Sequence, residues 1–167
     1  MTTSIHTRIM DILDAAGASY RLLPHSEPAY TVEVAARTRG VVAEEMVKSI
    51  LLRDRDGRFV MACVPGPARV NPQAVRACLP TEWKRLFFAS ATEILAVTGC
   101  EQGAVAPLGL PPAVPVILDE ALVRCPRVSI SSGDLMLGLE LDPAVLLRLS
   151  GARLARITLP PTTETPA

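Results

Sequence analysis

The stretch VAEEMVKSILLRDRDG, residues 42–57, decides how the rest of the chain reads. Val47–Arg53 is rich in β-prone apolar residues, and Asp54, Arg55, Asp56 and Gly57 have the composition of a hairpin turn. Arg58–Val64 then resumes the apolar run as an antiparallel partner. Lys48 interrupts the first strand, and it is one of only 2 lysines against 15 arginines. Alternation places Lys48, Ile50 and Leu52 on one face and Val47, Ser49 and Leu51 on the other. A lysine in a strand is commonly an edge-protecting charge. One that shares a face with two large apolar residues equally fits the rim of a pocket, its stem buried and its ammonium aimed at a ligand. Periodicity leaves the two readings balanced.

Outward from this hairpin, helices and strands alternate. Ser4 reads as the cap of a helix carrying Ile5, Ile9, Ile12, Leu13 and Ala16, stopped by Gly17. A short strand over 19–23 ends at Pro24. Thr31 caps a helix over 32–39 with Gly40 beyond it, Asn71-Pro72 opens one to about Leu79, and Ser90 caps one over 91–97. Strands are expected over 114–118, 127–131 and 135–141. Asp142-Pro143 repeats the cap-plus-proline device for a helix ending near Ser150, and Arg153–Leu159 reads as a last strand. This order suggests one domain with a mixed sheet, of α/β or α+β class, over residues 1–159, and a disordered tail over 160–167.

Composition narrows the function classes. At 167 residues the chain can bury roughly 70% of its unfolded surface, enough for a core without disulfide or metal staples. A formal net charge of zero argues against bulk coating of nucleic acid, DNA included, but leaves room for a local patch among Arg53, Arg55, Arg58, Arg69, Lys84 and Arg85. Four dispersed cysteines suit reduced thiols and a cytoplasmic location. Two histidines and unclustered cysteines argue against a zinc site, no cofactor signature occurs, and no apolar run approaches the ~20 residues of a membrane span. Catalytic signatures such as a nucleophile elbow or a phosphate loop are absent, and a cysteine acting with His25 is a weak third reading.

Taken in order, His25, Pro28, Tyr30 and Thr31; Val47-Lys48-Ser49-Ile50; Val64-Pro65-Gly66; Gly99 to Gly103 with Pro107 and Gly109; and Ser129-Ile130-Ser131 with Gly133 resemble the YbaK/EbsC family. Its members are relatives of the insertion editing domain of bacterial prolyl-tRNA synthetase. The resemblance implies a single α/β domain with a mixed, partly barrel-like sheet flanked by helices. It also implies hydrolysis of the ester joining a wrong, small amino acid to the 3′ end of a tRNA. The partners implied are tRNA and, beyond it, an aminoacyl-tRNA synthetase. By the same resemblance Lys48 and Gly103 are the catalytic candidates, with His25, Tyr30, Thr31, Ser49, Ala104, Pro107, Ser131, Ser132 and Gly133 around the substrate. Where close cysteinyl-tRNA deacylases of the family carry a Gly-Gly-Lys-Arg-Gly run, this chain has Ser132-Gly133-Asp134-Leu135-Met136, which removes two cations. That departure supports a second reading, a non-catalytic module of the same fold that binds aminoacyl-tRNA or a synthetase.

Overall fold

The computed structural model describes residues 4–161, so most of the expected tail lies outside the described residues. The hairpin forms as the turn chemistry dictates. β2 (Val47–Asp54) and β3 (Phe59–Pro65) pair antiparallel with Lys48 opposite Val64. Asp54 accepts the backbone N–H groups of Asp56 and Arg58, which closes the turn, and also that of Lys84. This buried carboxylate is held below its ordinary range by those N–H groups and Arg58, although its own desolvation pushes the other way.

Five strands build one mixed sheet in the order β4-β2-β3-β5-β8, where β4 is Leu86–Phe88, β5 Val116–Asp119 and β8 Arg153–Ala155. β4 lies antiparallel to β2, while β3, β5 and β8 run parallel. A second, antiparallel sheet has the order β1-β7-β6, from β1 (Tyr20–Pro24), β6 (Val128–Asp134) and β7 (Leu137–Leu141). The single mixed sheet expected from the sequence is therefore two sheets, not closed into a barrel. They touch at a parallel bridge between Met46 and Ser129, just before β2 begins. Leu51, Met61, Leu118, Ile130 and Leu139 fill the space between them together with Leu13 and Leu146 from the helices. The other face of β2 is also covered: Leu52, Val60, Trp83 and Ile117 form a second cluster, with Ile50 packed on it.

The capping signals hold for α2 (Val32–Arg39), α3 (Pro72–Ala77), α4 (Ala91–Thr98) and α5 (Pro143–Ser150). The Thr31, Asn71, Ser90 and Asp142 side chains each accept an N–H of the first turn. At α2, Thr31 caps the start and Gly40, in the left-handed region, closes the end. The first helix, α1, differs from expectation. It spans Arg8–Ala15 and is capped by Thr7, not Ser4. Its buried residues are Ile9, Met10 and Leu13, so packing stabilises helical turns only from Arg8 onward.

Candidate active site

A cleft of about 270 Å³ opens where the two sheets meet. Its walls are the segment Ala29–Val32 that leads into α2, the α2 residues Ala35 and Arg39, the start of β2 from Met46 to Ile50, the loop residues Gln102, Gly103 and Val105, and Ser131 of β6. Lys48 enters from β2 and donates from Nζ to the Ala68 carbonyl. Burial pushes its ammonium below the ordinary lysine range, and the carboxylate of Glu33 pulls the other way. A tethered, half-buried cation has little freedom to wander and a strong incentive to meet an anion.

Gly103 sits at φ 98°, the left-handed region that favours glycine. A Cβ there would lie 3.3 Å from Leu135 Cδ2 and 3.6 Å from Tyr30 Cα, so the loop packs closely on the opposite wall. The Ala104 amide is committed to the Glu101 carbonyl at 3.0 Å. Those of Gly103 and Val105 make no hydrogen bond to the protein among the described residues, and both residues line the cleft. Tyr30 stands at the rim, 66% exposed, which leaves its ring face free. Thr31 Oγ1 is occupied by the Val34 N–H of its cap, and Ser49 Oγ lies 3.8 Å from Cys63 Sγ.

Of the residues expected at the substrate, the cleft brings together Lys48, Gly103, Tyr30, Thr31, Ser49 and Ser131. The others lie elsewhere, each for a visible reason. Ala104 is buried with its amide spent, and Pro107 borders a different depression with Gly109 and Pro111. Ser132 is fully buried and latches the irregular end of β6, donating to the Leu137 carbonyl at 2.7 Å. Gly133 supplies the φ of 97° that the bulge there needs. His25 is buried behind the wall. Its Nδ1 donates to the Leu135 carbonyl at 2.6 Å, so Nε2 is the acceptor, and it receives the Arg39 Nε–H at 2.9 Å. Neither nitrogen is left for a cysteine or a water. The cysteine reading weakens further at Cys63, whose thiol burial pushes up to about 12. Sequence reasoning missed Arg39 and Gln102 as cleft residues.

His25 also sets a pH dependence. Burial is the main cause that holds its folded-state pKa below the ordinary 6.5; Arg39 adds to this, while the Leu135 carbonyl and Asp134 oppose it. As pH falls, the unfolded chain therefore takes up the proton first. The stability from neutral His25 is complete above pH 6.5 and declines as pH drops below it. Thermal midpoints are expected to fall between about pH 7.5 and about pH 5.5 in wild type, with a visibly smaller slope in His25→Gln. Parallel slopes would remove His25 as the cause.

Residues 26–149 match the model of the aminoacyl-tRNA editing domain. The chain belongs to that family. The editing domain has a relative of similar length in Bacillus subtilis, the uncharacterized protein YwhH, 32% identical over 120 residues that cover 72% of this chain and 74% of that one. The proline–tRNA ligase of Bacillus licheniformis is 35% identical over 98 residues, or 59% of this chain, yet the match spans only 17% of that enzyme's length. Among solved structures, hypothetical protein APE2540 superposes with a TM-score of 0.82 at 28% identity, covering 90% of this chain and 99% of that one. A candidate trans-editing enzyme for prolyl tRNA synthetase superposes at 0.75 with 26% identity, covering 92% and 96%. No helix among the described residues is long and apolar enough to cross a membrane.

Proposed function

We propose that this editing domain is an aminoacyl-tRNA deacylase that acts in trans, hydrolysing the ester between a small, wrongly attached amino acid and the tRNA 3′ end. The observation that carries the reading is that Lys48 lines one small cleft together with Gly103 and Val105, whose amides have no hydrogen-bond partner among the described residues. An ester is already activated, so the site must hold the chain end, place a water and stabilise the developing oxyanion. Lys48 anchors the nucleotide end, the two amides receive the oxyanion, and the exposed face of Tyr30 stacks the terminal base. No carboxylate or imidazole lines the cleft among the described residues. The vicinal ribose hydroxyl of the substrate itself is then the group that orients the water, as the family resemblance implies. The water oxygen bonds to the acyl carbon, the acyl–ribose bond breaks, and the ribose oxygen leaves with a proton. Ala29, Val32, Ala35 and Val105 narrow the cleft, which suits small side chains and excludes bulky ones. Work on tRNA implies action in the cytoplasm, and a synthetase that supplies the mischarged tRNA would be the natural neighbour.

Single-turnover deacylation of a panel of mischarged tRNAs tests this. Wild type is expected to clear at least one tRNA carrying a small amino acid, and Lys48→Ala to be slower by about 10–10²-fold, the worth of a charged hydrogen bond. Background rates for both proteins on every substrate would overturn it. Tight tRNA or synthetase binding without turnover would instead assign the chain as a binding module, the reading that the loss of two cations in Ser132–Met136 favours.

A further inference from the structure

The cleft contains a second cation that neither the family resemblance nor the sequence pointed to. Arg39, the last residue of α2, is only 9% exposed. Its Nε donates to His25 Nε2 at 2.9 Å and its Nη1 to Ser129 Oγ at 3.0 Å. Behind it, His25 is itself fixed by the Leu135 carbonyl. A guanidinium has five N–H donors, so these two bonds leave three. Among the described residues, the arginines paired with carboxylates are Arg21, Arg37, Arg53, Arg58 and Arg124, and Arg39 is not among them.

A buried charge with no counter-charge is costly, and such a group is normally paired or serves a ligand. Every fully buried side-chain nitrogen or oxygen among the described residues has a hydrogen-bond partner. Nη2 has none, so it is the end that reaches solvent, and Arg39 lines the same cleft as Lys48, Gly103 and Ser131. A purely bracing arginine would spend its donors on the protein. This one is clamped on two sides and open on the third. Because the clamp presets the fork, little ordering is lost when it meets an anion with two oxygens.

We propose that Arg39, held by His25 and Ser129, is an oxyanion-binding group of the cleft that receives an oxygen anion of the aminoacylated 3′ end. The identity of that ligand rests on the editing reading above. Within such a substrate the anion has two sources: the terminal phosphodiester, charged throughout, and the acyl oxygen, which gains charge in the transition state.

The test begins with a measurement that needs no turnover. The Arg39 Nε–H, bonded to an imidazole, gives a distinctive ¹⁵N–¹H signal. It is followed while the protein is titrated with adenosine 5′-monophosphate and, separately, with a non-hydrolysable 3′-aminoacylamino adenosine carrying no phosphate. Single-turnover deacylation is then compared between wild type and Arg39→Lys, with tRNA affinity and saturating rate resolved.

For the phosphodiester, the monophosphate shifts the signal saturably, and Arg39→Lys weakens tRNA and monophosphate binding by about 10-fold with the saturating rate kept. For the acyl oxygen, the phosphate-free analogue shifts the signal, and Arg39→Lys lowers the saturating rate by about 10-fold with tRNA affinity kept. Affinity and rate both within about twofold of wild type, in a folded Arg39→Lys protein, would overturn the proposal. If that variant fails to fold, the titrations decide: a wild-type signal unmoved by either ligand overturns it. A signal that shifts with the monophosphate in a protein lacking deacylase activity keeps the anion site and removes the editing reading, so the two fail separately.

Discussion

Gly103→Ala is expected to slow single-turnover deacylation by about 10²–10³-fold, the range typical for loss of an oxyanion donor, while leaving the domain folded. Two effects act together. At φ 98° an alanine is strained by about 1–3 kcal/mol, and its Cβ would press on Leu135 Cδ2 at 3.3 Å while resting in ordinary contact with the backbone of Tyr30 and Ala29. The loop relieves both by moving away from the opposite wall. That movement carries off the Gly103 and Val105 amides, and a displacement of about 1 Å at a reacting centre costs on the order of 10²-fold. Gly99→Ala separates strain from geometry. Gly99 is also in the left-handed region, at φ 73°, but a Cβ there meets nothing within 4 Å, and Gly99 does not line the cleft. It should lower the unfolding midpoint and leave the rate of the folded protein unchanged. Equal rates for Gly103→Ala and wild type would show that the loop does not take part in catalysis.

How far the sequence reached depends on the range of the interaction involved. The β2–β3 hairpin and the caps at Thr31, Asn71, Ser90 and Asp142 were legible because each is decided within about four residues. The parallel pairing of β3 with β5 and of β5 with β8 joins segments tens of residues apart, and no local pattern specifies it. β4 was missed for another reason. It is three residues long, follows Lys84-Arg85 and leaves Phe87 and Phe88 exposed, so it has neither the length nor the alternation of a strand.

The site divides in the same way. Lys48 stood out because it breaks an apolar run, and the structure explains why alternation could not place it. Both faces of β2 are covered, so sharing a face with Ile50 and Leu52 did not distinguish pocket from surface. The expected basic patch is partly neutralised, Arg53 by Glu93 and Arg58 by Asp54. Arg39 was invisible because a cation in the last turn of a helix is ordinary, favoured by the helix dipole whether exposed or not. Its side chain is accommodated by Gly138, far along the chain, and a glycine inside a strand is the one local sign of such a close approach.

That glycine carries the second large expected effect. Gly138 lies within β7, paired with Leu23 on one side and Ser131 on the other. A Cβ there would overlap the Arg39 side chain, 2.6 Å from Cζ and 2.8 Å from Cδ, and closer still to Nε. Gly138→Ala must therefore expel the guanidinium, because the strand, paired on both edges, has less freedom than a side chain. Expulsion breaks the bonds to His25 and Ser129 and leaves a buried imidazole nitrogen without its donor. Overpacking costs about 1–3 kcal/mol and a stranded buried acceptor about 1–3 kcal/mol, so the expected loss is about 2–6 kcal/mol. In a domain of this size that lowers the thermal midpoint by about 5–20 °C. Removing the obstacle tests the cause: with Arg39→Ala in the same chain, the alanine at 138 gains room. The double variant should then be more stable than the two single losses added together, by about 1 kcal/mol or more. Strict additivity, or a Gly138→Ala midpoint equal to that of wild type, would mean that Arg39 is not packed across β7 in solution.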